Sequence, residues 1–457
     1  MAAAGPDGGR TTNGSPPLDS TGTKRLPAGG ALDSLSRGLR ARGTSWMVVG
    51  AFLAAVGAYV FQAIGTRTLG EVGYAPIGAL WTIQYLVVSI VLYPIETYVT
   101  RRTLLGSEAE DRFSTRLWGW IVAIAVGLTA LCWLFRKQLF HGMGDLAAVV
   151  GVVTCTFGVF MIVRGRLAGT ERFKAYGLVT ATESMGRAVL AVVVVLVAAT
   201  TRAIAWTMPF GALAAAALWL VVRRRAREPR SLGAMPADAI GPVRFLAITT
   251  GANGILQLLL AGGPLALVAL GGSPAEVSIL FVTLMAARLP FMFFFSGVLS
   301  RLLPTFMRLA GSEDRRPLRR AASRVGIGSV AVALVGGLAA AGIGGPLLGL
   351  LFGRAFEPPG WAAAGVTAGV LLATGSMILN QVLIAQGSPA LSLAAWSLAL
   401  VAAGAGLLVL RGDPTERVVA AFLIAETVAL LGLVVGTLRL PSRRPRGAEP
   451  PGGEPQA

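Results

Sequence analysis

From residue 44 onward the chain alternates apolar stretches of about twenty residues with short polar or basic connections, and about twenty helical residues cross a hydrocarbon core of about 30 Å. The pattern predicts spans over 44–64, 75–99, 117–135, 146–163, 176–199, 203–222, 245–263, 274–298, 325–343, 361–384, 391–410 and 418–438. In lipid every backbone polar group must find a partner within the protein, which a helix achieves by itself. The expected fold is therefore all-α and integral to the membrane, with about twelve transmembrane helices.

Composition agrees with the pattern. Of 457 residues 54% are hydrophobic and 14% charged, with a mean hydropathy of +0.69. The formal charge of +18 would suit nucleic acid if Lys and Arg formed one face, but they fall in bursts between apolar runs. On one side each connection carries at least four, apart from the uncharged turn Gln386 to Pro389; on the other side none carries more than two. Basic connections mark the cytoplasmic side, so both termini are expected in the cytoplasm, and the chain in the cell (inner or plasma) membrane as a multi-pass protein. Cys132, Cys155 and the single His141 have no metal-ligand or disulfide spacing. No metal, cofactor or nucleic-acid partner is expected.

Residues 1–43 and 439–457 are rich in Gly, Ser, Pro and Arg and read as disordered cytoplasmic tails. The Pro-bearing basic linker 223–244 divides the spans into a lobe over 44–222 and a lobe over 245–438, with six helices each. MVVGAFLAAVGAYVFQAIG in the first span parallels ITTGANGILQLLLAGG in the seventh, and VRGRLAGTERFKAYGL after the fourth parallels LIAQGSPALSLAAW after the tenth. Six being even, the repeats are parallel, about an axis along the membrane normal. A cleft between two such six-helix bundles suits alternating access.

The stretch Arg67-Thr68-Leu69-Gly70-Glu71-Val72-Gly73-Tyr74, the stretch Arg164-Gly165-Arg166-Leu167-Ala168-Gly169, and Leu351-Phe352-Gly353 resemble the polysaccharide transporter (oligosaccharide flippase) branch of the multidrug/oligosaccharidyl-lipid/polysaccharide (MOP) exporter superfamily. The resemblance covers nearly all of 44–438. It implies flipping of a polyprenyl-pyrophosphate-linked oligosaccharide to the outer leaflet for polysaccharide biosynthesis. The implied partners are the lipid-linked glycan and membrane lipids, with a polysaccharide polymerase or glycosyltransferases as further candidates. The arginine-rich first span of peptidoglycan-precursor flippases is absent, which disfavours that substrate.

Charges within spans are costly and usually face a bundle interior or wet cavity. Glu183 and Arg187, four apart, share a helical face and lie within ion-pair reach; they are candidate substrate contacts or a structural pair. Arg288 has no acidic residue near it in its own span and is followed two residues on by Pro290; it could pair with Glu183 across the lobes, bind pyrophosphate through its planar fork, or snorkel toward the inner headgroups. Asn253 and Gln257, with Gly251 and Gly254, mark a polar, bendable seventh span that either lines a cavity or bonds a neighbouring helix. Glu426, near the middle of the twelfth span, and Glu96, near the cytoplasmic end of the second, are coupling-ion candidates; for Glu96 a headgroup-level carboxylate near Arg101 and Arg102 is the plainer reading. Gln84, Asn380 and Gln381 rank below these. Tyr59, Phe61, Trp81, Tyr85, Phe291, Phe293, Phe294 and Phe295 either flank a lipid-tail path or pack.

Two other function classes compete. A cation-coupled multidrug antiporter of the same superfamily would share the fold but needs a buried carboxylate cluster, whereas only Glu96, Glu183 and Glu426 lie well inside spans. A membrane glycosyltransferase or polymerase needs acid/base residues in a sizeable outer loop. Around Asp145, Glu276, Glu357, Asp413 and Glu416 there is neither such a loop nor Asp-x-Asp, so an enzyme is not expected.

Overall fold

The computed structural model describes residues 44–104, 110–223, 242–294, 316–386 and 388–439. The tails over 1–43 and 440–457 and most of the linker, 224–241, lie outside the described residues, as do the side chains of Phe291, Phe293 and Phe294 and the whole of Phe295.

The described residues form helices joined by short turns: α1 (Thr44–Leu86), a π-helical segment (Val87–Leu92), α2 (Tyr93–Leu104), α3 (Glu110–Leu134), α4 (Arg136–Phe140), α5 (Asp145–Gly169), α6 (Phe173–Val197), α7 (Thr201–Arg223), α8 (Pro242–Ala261), α9 (Gly263–Ala269), α10 (Pro274–Phe294), α11 (Arg316–Phe352), α12 (Gly360–Ala385), α13 (Pro389–Val409) and α14 (Pro414–Arg439). Among them nine helices are long and apolar enough to cross a membrane, or ten with the bent pair at α8 and α9 taken as one span. The first of the nine runs 55 residues from Trp46 to Thr100, far more than one crossing needs. It supplies two crossings because it turns at Gly70, and α10 adds a further, mostly apolar helix of 21 residues. The protein is an all-α integral membrane protein of about twelve crossings.

The turn at Gly70 differs from the expected ten-residue connection. Helix continues to Leu69 and resumes at Glu71, with Gly70 alone at φ 67°, ψ 179°. A Cβ on Gly65 would lie 2.8 Å from the Tyr74 ring, so the two limbs fold back on each other. This backbone region is essentially confined to glycine, and a Cβ at Gly70 would meet nothing within 4 Å. Gly70→Ala is therefore expected to cost about 1–3 kcal/mol through backbone strain alone, read as a lower denaturation midpoint in detergent; an unchanged midpoint would show that the turn tolerates another conformation.

Two apolar cores follow the chain order. One gathers Tyr74, Leu80, Leu146, Met161 and Met208; the other gathers Leu256, Leu260, Val370, Trp396 and Leu433. Phe281, Leu348, Phe352 and Phe356 come from later in the chain yet pack into the first core, so the halves meet along α1, α10 and the end of α11. Val126, Leu134, Val197, Leu338 and Leu408 are exposed, as lipid-facing residues are. Small residues set the closest crossings: a Cβ on Gly177 of α6 would lie 2.1 Å from the Trp46 carbonyl of α1.

Turns at the Gly70 end are tied to one another. Thr201 Oγ1 donates to Gly73 O at 2.9 Å, Ser278 Oγ to Glu71 O at 2.6 Å, and Arg202 pairs with Asp145 at 3.3 Å. Arg67 donates to the Leu350 and Leu351 carbonyls at 2.5 and 3.3 Å, covering acceptors that the last turn of α11 leaves without intrahelical donors.

Candidate functional site

Among the described residues, the polar contacts between the halves lie between the Gly70 end and mid-depth, and two prolines account for much of them. In the π-helical segment Tyr93 N–H donates to Val88 O, five residues back. The next carbonyl in that register is Ser89, whose donor would be residue 94, a proline with no N–H. Asn253 of α8 supplies the missing donor through Nδ2 at 3.3 Å. One turn along, Tyr85 donates to Gln257 Oε1 at 2.8 Å, and a Cβ at Gly254 between them would lie 3.2 Å from Ile90. The four-residue spacing thus puts Asn253 and Gln257 on one face, bonded across the seam to the second crossing.

The seventh span is bent, but eight residues beyond Gly254: α8 and α9 meet at 65° across Gly262. In a continuous helix the Leu260 carbonyl would accept from residue 264, which is Pro264. Arg288 Nη2 donates to that carbonyl instead, and its guanidinium carbon lies 5.3 Å from the Tyr85 ring centroid. The Arg288 Nε has no hydrogen-bond partner, and Arg288 has no carboxylate partner among the described residues. With Trp81, Thr82, Tyr85, Pro264, Phe281 and Met285 it borders a cavity of about 20 Å³ between the halves. Tyr59 closes this region, its hydroxyl donating to Met285 O at 2.7 Å.

Arg288 and Glu183 do not pair. Glu183 Oε1 lies 3.2 Å from Arg187 Nη1, and Ser184 Oγ donates to Glu183 Oε2 at 2.6 Å. Arg187 is 2% exposed and Glu183 6%, and the guanidinium carbon sits 4.3 Å from the Trp81 ring centroid and 5.4 Å from that of Phe61. The pair is enclosed in the first half, with Trp81 standing between it and the seam cavity.

Glu96 is buried within the bundle and not at headgroup level; the side chains of Arg101 and Arg102 lie outside the described residues. Helix α5 runs on to Gly169, six residues past the expected end, so Arg164 stays inside the bundle and pairs with Glu96 at 3.3 Å. Tyr176 donates to Glu96 Oε1 at 2.9 Å and accepts from Arg164. Spans two, four and five are thereby knotted at the end opposite Gly70. Gly165 and Gly169 permit it: a Cβ at either would lie 2.8 Å from the Glu96 or Thr100 carbonyl.

Glu426 is fully buried, and neither carboxylate oxygen has a hydrogen-bond partner among the described residues. One turn to either side, Phe422 and Leu430 lie against Gly369 and Gly375 of α12, so the carboxyl stands in an apolar interface. Gln84 Oε1 is likewise unpartnered beside a small void lined by Leu80, Val153 and Met208, and Asn380 Oδ1 accepts from Ser392. Gln62 and Tyr74, which no periodicity singled out, are fully buried in the first half, and their side-chain polar atoms have no hydrogen-bond partner among the described residues. Nearer the Gly70 end a second cavity between the halves, of about 200 Å³, is lined by Ala75, Gln138, His141, Gly271 and Val277; desolvation holds the His141 imidazole below its ordinary pKa. Among the described residues no cluster of His, Cys, Asp and Glu could hold a metal ion.

No protein-family model matches the chain. Two uncharacterized proteins of Mycobacterium tuberculosis, Rv1510 of strain ATCC 25618 / H37Rv and MT1558/MT1560 of strain CDC 1551 / Oshkosh, are each 27% identical over 331 residues, covering 71% of this chain and 73% of theirs. Among solved structures, an inward-facing multidrug resistance MATE family transporter of the MOP superfamily matches with a TM-score of 0.63 at 12% identity, covering 86% of this chain and 98% of its own. An outward-facing one matches at 0.54 and 14% identity (88% and 96%), and a MATE in the bent conformation at 0.55 and 14% (87% and 94%). At these identities the likeness concerns architecture: the chain has the fold of the MATE transporters of the MOP superfamily.

Proposed function

We propose that this protein is an alternating-access transporter that flips a polyprenyl-pyrophosphate-linked oligosaccharide from the cytoplasmic to the outer leaflet of the cell membrane. The observation that carries this reading is Arg288, a guanidinium in the seam between the halves with no carboxylate partner among the described residues and an Nε still free to donate. A buried cation without a counter-charge is costly, and a pyrophosphate would supply both the charge and the acceptors that a planar fork of donors fits. The segments 44–222 and 245–438 are the two moving lobes. With the basic connections in the cytoplasm, as the positive-inside rule expects, the face opposite Gly70 is the inner one and the contacts of Arg67, Glu71 and Tyr59 close the outer side. Asn253 and Gln257 act here as hinge contacts between lobes, and Glu183 with Arg187 keeps the first lobe rigid. A polymerase or glycosyltransferases would act on the delivered glycan.

One observation favours a second reading, a cation-coupled multidrug antiporter: the buried, unpartnered Glu426 is the kind of intramembrane carboxyl that serves proton or cation coupling. The MATE neighbours are multidrug transporters.

In proteoliposomes Arg288→Ala is expected to lower transbilayer movement of a radiolabelled polyprenyl-pyrophosphate sugar at least about tenfold, as the loss of one charge-assisted contact of about 1.5–3 kcal/mol implies. Movement at the wild-type rate would remove Arg288 from the substrate site.

A further inference from the structure

A proline kink removes one hydrogen bond, yet α8 and α9 meet at 65°, a wide bend that leaves the Leu260 carbonyl turned toward α10. The donor it finds there belongs to the same guanidinium that borders the seam cavity. That cavity is only water-sized, so an anion reaches the guanidinium as the seam opens, and there it and the Leu260 carbonyl draw on one side chain. We propose that Arg288 is the positioning residue through which an anionic headgroup sets the shape of the seventh span. Bonded to Leu260 O, it holds the bend; drawn onto a pyrophosphate, it leaves that carbonyl without a donor, and the two limbs relax toward a shallower kink. The reciprocal contact, Asn253 on the proline-freed Ser89 carbonyl, ties the first limb to the other half, so relaxation at Gly262 changes how the halves meet.

This inference rests on the anionic-headgroup reading, and its test separates the two. Gly251→Cys and Ala269→Cys, in a full-length chain with Cys132→Ser and Cys155→Ser, place spin labels on either limb; Ala269 is exposed, and a Cβ at Gly251 makes only an ordinary contact with Leu393 at 3.6 Å. Inorganic pyrophosphate is expected to lengthen the label distance by about 3 Å, from the rise of the two limbs. Arg288→Ala should show the longer distance with or without pyrophosphate. Pro264→Ala provides the N–H that Leu260 O lacks, so the melting midpoint should fall by about 3 °C for Arg288→Ala in the native background and by less than about 1 °C beside Pro264→Ala. Equal losses in both backgrounds, or a distance that neither pyrophosphate nor Arg288→Ala moves, would overturn the clamp. If pyrophosphate moves the labels but no polyprenyl-linked sugar crosses the bilayer, the clamp stands and the proposed substrate falls. If sugar crosses in an Arg288-dependent manner while the labels stay still, the substrate stands and the clamp falls.

Discussion

Replacing Glu183 with alanine is expected to cost about 3–5 kcal/mol of folding stability, because it strands the Arg187 guanidinium in a site that is 2% exposed. Trp81 and Phe61 cover that guanidinium, and their ring faces offset only part of a lost carboxylate. Arg187→Ala should cost a similar amount by stranding Glu183, which keeps only the Ser184 hydroxyl. The double variant Glu183→Leu, Arg187→Met should lose less than either single change, since apolar groups of similar volume need no counter-charge. Unfolding of the four proteins in mixed micelles measures this. Single-variant losses below about 1 kcal/mol would mean that water reaches the pair, and would return Glu183 and Arg187 to the substrate path.

Gly177→Val is expected to cost at least about 3 kcal/mol, and to abolish folding if spans one and five cannot separate. The obstacle is backbone, not a side chain that can swing aside: a Cβ at Gly177 would lie 2.1 Å from Trp46 O, and one at Gly50 would lie 2.3 Å from Gly177 O. The crossing holds Gly57 against Ser184 as well, so forcing it apart also displaces the Glu183 and Arg187 pair. Gly127→Ala is the control: nothing lies within 4 Å of a Cβ there, and mid-helix alanine should stabilise by about 0.5–1 kcal/mol. Comparable effects at the two positions would contradict the close crossing.

What the sequence made legible follows from what it writes in side chains. Each predicted span overlaps a helix because an apolar run of this length has few other structures open to it in lipid. The pairing of Glu183 with Arg187 was visible in their spacing of four. Helix ends were misplaced where charged residues continue a helix: Arg164 reads as a connection until Glu96 and Tyr176 bond it within the bundle. Gly251 and Gly254 mark the seventh span as bendable, but the bend belongs to Gly262, since Pro264 removes a hydrogen bond, while Gly254 packs against Ile90 and Gly251 lies near Leu393. For Arg288 side-chain reasoning offers a carboxylate, a phosphate or the inner headgroups; its observed partner is a backbone carbonyl. Pro264 four residues after Leu260, like Pro94 five after Ser89 in a π register, was the available sign that an acceptor lay open.

A seam built around Arg288 should accept an anionic lipid-linked headgroup and not a cationic drug. Two transport assays on the same proteoliposomes, one for a polyprenyl-pyrophosphate sugar and one for proton-driven efflux of a cationic dye, decide it. The sugar-lipid is expected to cross in wild type and to stop with Arg288→Ala, with the dye unmoved. Dye efflux that Glu426→Gln abolishes, with no sugar-lipid crossing, would contradict it and make the protein a cation-coupled antiporter.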